Sequence, residues 1–328
     1  MENAHMSTTV ELVEVGPRDG LQNEKKPLDV DTRVELIRRL VGQGARRIEA
    51  VSFVRPDLVP QMAGAEEVMA KVPQDPEVSY IGLVLNRRGA ERAAQTPCTE
   101  VNIVIPVTDS FSTRNQNLTV DAMLDHAAAA SQVARGAGMR VSLTLAVAFG
   151  CPFSGPVSTG QVADVLLRAA EIEPDEIAFA DTIGVGVPRQ VRELAALAVG
   201  DDRIRKLRFH FHNTRNTGYA NAVAAAHPDP STGAVPGGVI ALDASVGGFG
   251  GCPFAPAATG NIATEDLAYL LRGEGVPLAG NGHPDIDALA RVGTWLGEQL
   301  DNSPQGLLVR AGDFTPPVPA PDKEGTEK

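Results

Sequence analysis

Lys206-Leu-Arg-Phe-His210-Phe-His212 is short, largely apolar and ends in two histidines one residue apart. It reads as a strand, and the strand period of two turns both imidazoles to one face. Seven further runs share its length and β-branched character, as buried parallel strands do. They are Val10–Val15, Arg47–Phe53, Ser79–Leu85, Glu100–Val107, Arg140–Ala148, Glu176–Ala180 and Val239–Ala244. Between them lie stretches with helical apolar spacing: Asp31–Val41, Val120–Ala137, Gln161–Ile172, Arg189–Val199 and Asn216–Ala226. The strand spacing is mostly about 30 residues, the length of one βα unit. Eight alternating units in one domain predict a closed (β/α)8 barrel, the TIM barrel, with an open doubly wound sheet as the alternative. Asn261–Arg272 and Asp285–Leu300 read as a closing helix and one additional C-terminal helix.

Composition agrees with one large soluble domain. The chain has 328 residues, 43% hydrophobic and 21% charged, enough apolar material for a sizeable core. A net charge of −12 argues against a nucleic-acid or anionic-membrane surface, though a local cluster such as Arg18, Lys25 and Lys26 can still meet an anion. Cys98, Cys151 and Cys252 are far apart, which predicts free thiols in a reducing, cytoplasmic setting. No apolar run approaches the roughly 20 residues that a membrane helix needs. Residues 1–8 read as a tag, residues 9–300 as the catalytic domain, and 301–328, with the Pro-rich Thr315-Pro-Pro-Val-Pro-Ala-Pro, as a disordered tail.

The chemistry-bearing residues fall at strand ends, where barrel enzymes build their sites. Arg18-Asp19 follows the first strand within Gly16-Pro-Arg-Asp-Gly20, Glu49 and Ser52 lie on the second, and Asp181-Thr182 ends the sixth. The glycine run Gly247–Gly251, then Cys252 and Asn261, follows the eighth. Strands one, seven and eight are neighbours once a barrel closes. Asp19, His210, His212 and Asn261 would then offer a mixed nitrogen and oxygen set suited to Mg²⁺ or Mn²⁺. Taken alone, the histidine pair reads equally well as two core histidines. Arg18-Asp19 reads either as a local ion pair within a glycine turn or, with Asp19 given to the cation, as leaving the Arg18 guanidinium to face developing negative charge. Glu49 orients Arg18, relays a proton or, equally, only balances the charge of a buried arginine, and Cys252 on a mobile glycine loop is a candidate acid/base. Cys151 reads as loop structure and Cys98 as inert. Gly184-x-Gly186 lacks the third glycine of a dinucleotide loop, and that reading is rejected. Asp181 and Thr182, at a strand end, are better explained as groups that either face the substrate or support those that do.

These motifs together resemble the 3-hydroxy-3-methylglutaryl-CoA lyase family. The resemblance is carried by Glu14-Val-Gly-Pro-Arg-Asp-Gly-Leu-Gln-Asn-Glu-Lys25, Ser52-Phe53, Val59-Pro-Gln-Met62, Gly150-Cys-Pro-Phe153, Asp181-Thr-Ile-Gly-Val-Gly186, His210-x-His212 and Gly247–Asn261 with Thr264-Glu-Asp266. It implies retro-Claisen cleavage of 3-hydroxy-3-methylglutaryl-CoA, or a related 3-hydroxyacyl-CoA, to acetyl-CoA and a keto acid (acetoacetate). It also implies one bound Mg²⁺ or Mn²⁺, an acyl-CoA partner and a homodimer or higher homo-oligomer. Arg18, Cys252, Glu49 and Asp181 become the expected catalytic set, and Asp19, His210, His212 and Asn261 the metal ligands. Gln22, Lys25, Ser52, Thr182 and Arg215 are expected to meet substrate or CoA, with Arg114 and Asn115 as further CoA candidates. Three departures bear on substrate: Asn213 replaces an acidic residue, Arg215 a tyrosine and Thr144 an aromatic residue. An Arg215 charge could suit a more acidic or differently sized acyl group. Two alternatives stay open: a synthase joining acetyl-CoA to a 2-oxo acid, against which the Gly-Gly-Cys-Pro loop argues, and a barrel that binds metal and CoA without turnover.

Overall fold

Eight strands close in chain order into a parallel barrel: β1 (Thr9–Glu14), β2 (Arg47–Ser52), β3 (Ser79–Val84), β4 (Glu100–Pro106), β5 (Arg140–Ala146), β6 (Glu176–Asp181), β7 (Leu207–Phe211) and β8 (Val239–Ala244). The structure, a computed structural model, describes residues 8–229, 231, 235, 238–251, 260–280 and 282–314. Around the barrel run α1 (Val30–Gly42), α2 (Ala65–Lys71), α3 (Arg87–Ala93), α4 (Asp109–Gln116), α5 (Val120–Gly136), α6 (Thr159–Ala170), α7 (Pro188–Val199), α8 (Gly218–Ala226), α9 (Thr264–Gly273), α10 (Ile286–Leu300) and α11 (Leu308–Ala311). Closure is made by β1 and β8, paired from Thr9↔Val239 to Glu14↔Ala244. That full-length ladder rules out the open sheet. The fold is the (β/α)8 barrel that the spacing predicts, with its C-terminal helices present.

Alternation along each strand separates core from lumen. On β7, Leu207, Phe209 and Phe211 join the main apolar core between barrel and helices, while Arg208 and His210 alternate with them and face inward. A small apolar group, Val13, Val15, Ile81 and Ala241, packs apart from that core. The lumen below it is charged rather than aliphatic. Arg47 Nη2 donates to Glu100 at 2.5 Å and Glu176 at 2.8 Å, and its Nη1 to Glu11 at 2.7 Å. Lys206 adds a 2.6 Å contact to Glu11. Glu11 and Lys206 are half-buried at the network's edge, whereas Arg47, Glu100 and Glu176 have left water and are satisfied only together.

Several boundaries differ from the expected ones, each for a local reason. β7 ends at Phe211, so His212 lies past the strand and is held by a bridge to Asn261. The closing helix starts at Thr264, not Asn261, which leaves Asn261 on an extended segment beside β7. The stretch expected to be a free tail from residue 301 is built into the molecule up to Phe314. Gln305 and Gly306 amides donate to the Gly247 carbonyl at 2.8 and 3.1 Å, and Leu307 and Leu308 amides to Asp266 at 2.8 and 2.9 Å. Residues 1–7 and 315–328 lie outside the described residues.

Candidate active site and metal centre

Asp19 and Arg18 sit on a single buried π-helical turn, Gly16–Gly20, directly after β1. The Val15 carbonyl accepts from the amides of Arg18, Asp19 and Gly20 at 3.1, 2.8 and 3.1 Å. Glu14 staples this turn to the β8 loop: its carboxylate accepts from Gly16 N at 2.8 Å, Val246 N at 3.0 Å and the Thr264 hydroxyl at 2.7 Å. Two glycines are needed where segments crowd. A Cβ on Gly16 would lie 2.6 Å from Glu14 Oε1, and one on Gly20 2.7 Å from Ser245 Oγ.

The turn brings Asp19 to the histidine pair. Asp19 Oδ2 lies 3.8 Å from His210 Nε2 and 3.9 Å from His212 Nε2, and the three ligand atoms fall within 4.8 Å of one another. Asn261 Nδ2 donates to Asp19 Oδ2 at 2.9 Å and to the Phe249 carbonyl at 3.0 Å. Its Oδ1 is buried with no hydrogen-bond partner, as is His212 Nδ1. An orphaned buried amide oxygen beside a carboxylate and two imidazole nitrogens fits a hard or borderline divalent cation, which would satisfy it.

Electrostatics favour the ligand forms that a cation requires. Burial opposes ionisation of Asp19, but the Arg18 guanidinium and the two imidazoles outweigh it and hold the carboxyl well below the usual range. Burial and the neighbouring His210 push His212 down to about 4, so it is neutral at pH 7. Burial also acts on His210, but its hydrogen bond to Asp243, 3.0 Å from Nδ1, holds it above the ordinary value. That carboxylate–imidazole contact leaves Nε2 directed at Asp19, the arrangement that orients metal-ligating histidines.

Arg18 is not a free guanidinium. Its Nη1 donates to Asp19 Oδ1 at 2.6 Å, and its Nε to Glu49 Oε1 at 2.7 Å. Glu49 is fully buried, and its other oxygen accepts from Arg208 at 3.0 Å. Glu49 thus lies between two guanidiniums and is bonded to both. Asp243 and Arg208 had been given no role from the sequence. The signal was present: both are charged residues on the inward face of apolar strands.

Other expected residues divide. A cavity of about 2050 Å³ opens at the C-terminal mouth, walled by Arg18, Asp19, His210 and His212 and also by Gln22, Lys25, Thr182, Arg114 and Asn115. Asp181 is not on that wall. Its carboxylate accepts from the amides of Val185 at 2.8 Å and Gly186 at 2.9 Å in the loop after β6, and burial raises it to about 6. Ser52, 1% exposed, is also off the wall. Arg215 is exposed and off the wall, its Nη1 spent on the carbonyls of Ile183 and Gly184 at 3.1 and 2.9 Å. Asn213 Oδ1 accepts from Gly218 N at 3.1 Å and so caps α8. Cys252 lies outside the described residues; Gly251, immediately before it, is on the cavity wall. Cys151 does serve loop structure, its sulfur accepting from Thr108 Oγ1 at 3.2 Å and from the amides of Phe153 and Ser154 at 3.4 and 3.5 Å.

The sequence model of the family described as HMGL-like matches residues 9–292. The chain belongs to that family. A hydroxymethylglutaryl-CoA lyase of Pseudomonas mevalonii is 41% identical over 305 residues, 92% of this chain and 97% of the relative. An (R)-citramalyl-CoA lyase of Chloroflexus aurantiacus is 39% identical, across 94% of this chain and 96% of the relative. The solved structure of an HMG-CoA lyase from Acinetobacter baumannii, in complex with coenzyme A and 3-methylmalate, superposes with a TM-score of 0.85 at 33% identity, covering 96% of this chain and 99% of that one. This HMGL-like chain is therefore a carbon–carbon lyase of the hydroxymethylglutaryl-CoA lyase type, as its motifs imply.

Proposed function

We propose that this protein is a divalent-metal-dependent lyase that cleaves a 3-hydroxyacyl-CoA bearing a tertiary hydroxyl and a carboxylate, 3-hydroxy-3-methylglutaryl-CoA or a close relative, to acetyl-CoA and a keto acid. The observation that carries the reading is the gathering of Asp19, His210 and His212 within 4.8 Å at one wall of the mouth cavity, with Asn261 bonded to Asp19. These four residues would hold Mg²⁺ or Mn²⁺. When bound, the cation would acidify the substrate hydroxyl and neutralise the adjacent carboxylate.

Arg18 lines the same cavity and is held by Glu49 with its guanidinium at the reacting end. A base takes the hydroxyl proton, the O–H electron pair forms the carbonyl of the departing keto acid, and as the C2–C3 bond breaks its own pair passes to C2. Negative charge then gathers on the thioester oxygen of the acetyl-CoA enolate, where a preorganised guanidinium stabilises it. C2 is finally protonated. Cys252 is our candidate for that proton, since the residue before it is on the cavity wall and its Gly251 carbonyl accepts from Asn23 Nδ2 at 2.6 Å. Lys25 and Arg114 on the wall, neither within ion-pair distance of a carboxylate among the described residues, are proposed to meet CoA phosphates. Thr144 also lines the cavity, bonded to Asn102 Oδ1 at 2.8 Å; this small polar pair leaves room for substituents at C3 larger than methyl.

Mass-spectrometric analysis of products from a panel of 3-hydroxyacyl-CoA thioesters, including 3-hydroxy-3-methylglutaryl-CoA and citramalyl-CoA, tests the reading. We expect acetyl-CoA release from at least one member with Mg²⁺ or Mn²⁺ present, and loss of that release in EDTA. Release that persists undiminished in EDTA, or no cleavage of any member, overturns it.

A further inference from the structure

We propose that Arg208 is a positioning residue that fixes His210 and Arg18 in one frame, so that the cation site and the charge-stabilising guanidinium are held as a single unit. The inference rests on the functional reading above and adds a residue outside the cavity to it.

Arg208 is 1% exposed and is not on the cavity wall, so it meets no substrate. Its fork reaches two carboxylates at once. Nε donates to Asp243 Oδ1 at 2.5 Å, and Nη2 donates to Asp243 Oδ2 and to Glu49 Oε2, both at 3.0 Å. Each carboxylate then holds a group that does reach the cavity. Asp243 Oδ2 lies 3.0 Å from His210 Nδ1, and Glu49 Oε1 accepts from Arg18 Nε at 2.7 Å. The path His210–Asp243–Arg208–Glu49–Arg18 runs without a gap from β7 through β8 and β2 to the turn after β1.

The geometry needs arginine specifically. A planar guanidinium presents several donors in a fixed fork, whereas a lysine ammonium is a compact point charge. Asp243 and Glu49 have side chains 4% and 0% exposed, and Glu49, off the cavity wall, has no water to turn to for a replacement partner. The third nearby carboxylate, Glu176, stands 3.7 Å from Arg208 Nη1, which makes no hydrogen bond. Arg208 thus uses its best contacts on the two branches that lead to the site, not on the lower network. A purely structural ion pair would have no reason to end in two cavity groups.

The test uses Mn²⁺ alone, titrated calorimetrically into the metal-free protein, beside steady-state kinetics. Arg208→Lys keeps a charge among the carboxylates but cannot bridge both. It should fold, with circular dichroism unchanged, and lose about 10–100-fold in Mn²⁺ affinity, the usual effect of removing support from a metal-ligating histidine. Asp243→Asn should lose a similar amount, and Arg208→Met added to it should cost little more, because that branch is already broken. Glu49→Gln should instead lower kcat with Mn²⁺ affinity held within about twofold. A folded Arg208→Lys protein that binds Mn²⁺ within about twofold of the parent, or losses from Arg208→Met and Asp243→Asn that simply multiply, overturns the inference while leaving the cation reading intact. Absence of Mn²⁺ uptake by the parent protein is a different result and removes both.

Discussion

The four proposed ligands are not equivalent, and their differences set what each substitution does. His210 has its second nitrogen tied to Asp243, whereas His212 Nδ1 and Asn261 Oδ1 are buried without partners. Buried polar atoms left unpaired cost roughly 1–3 kcal/mol each, so an ion that satisfies Asn261 Oδ1 and draws on His212 Nε2 also stabilises the fold. Mn²⁺ at about 100 times its Kd should raise stability by about 2.7 kcal/mol, read as an upward shift in Tm that EDTA reverses. Asn261→Ala removes both a ligand oxygen and the amide that holds Asp19 Oδ2 at 2.9 Å. It should abolish most of that Tm shift. Arg18→Gln should keep the shift, since all four ligands remain, yet lose about 10²–10³ in kcat, the usual effect of deleting one preorganised charge contact. Turnover of Arg18→Gln close to the parent, or an undiminished Mn²⁺ shift in Asn261→Ala, contradicts these assignments.

At the scale of elements, the site depends on two loops crossing closely, the turn after β1 and the loop after β8. Gly20 is where they meet: an added Cβ would sit 2.7 Å from Ser245 Oγ, which itself has no hydrogen-bond partner. Gly20→Ala should therefore destabilise by about 1–3 kcal/mol through overpacking. Ser245→Ala, which deletes the clashing atom without losing a bond, should recover most of it in the double mutant. Chemical denaturation of the single and double mutants measures this, and simple additivity would refute the contact. The crossing was not readable from sequence, although both segments were. Short β-branched apolar runs located all eight strands and the period of 3.6 the long helices, because a parallel strand is buried on both faces and a helix along one stripe. The short helices α2, α3, α4 and α11 gave too few turns to show a period, and none had been expected. Asn261 was named as a ligand but assigned to a helix; its extended conformation is fixed by the bridge to His212, a pairing distant in sequence. Asp181 was placed near the site from its strand-end position, and Arg215 from its departure from the family pattern after the histidine pair. Their actual partners, loop amides and carbonyls, depend on turn geometry that residue types do not encode.

Over the whole molecule, buried carboxylates of two opposite kinds set how stability responds to pH. Burial opposes ionisation of Glu11 and Glu100, but Arg47 and its neighbours outweigh it and hold both below their ordinary value. Their contribution is present above about pH 4.5 and is lost as pH falls through their lowered range. Glu14 and Glu265 behave in reverse. Burial raises Glu14 to about 7 and Glu265 to about 8, so the folded protein keeps protons that the unfolded chain releases near 4.5. Their contribution is complete below that unfolded value and is lost as pH rises toward 8, by at most about 1.4 kcal/mol per pH unit for each proton. The net charge of −12 pushes the same way, because further ionisation adds to self-repulsion. Stability should therefore peak on the acid side of neutrality, with Tm falling between about pH 5.5 and 8. Glu265→Gln isolates the cause. Glu265 is fully buried and accepts from Gly247 N through both oxygens, at 3.2 and 3.0 Å, so glutamine can keep one acceptor while removing the proton. Its Tm should fall less steeply across that window than the parent's, since one of the proton-releasing carboxyls is gone while surface charge is almost unchanged. Parallel slopes for the two proteins would mean that Glu265 does not hold its proton in the folded state.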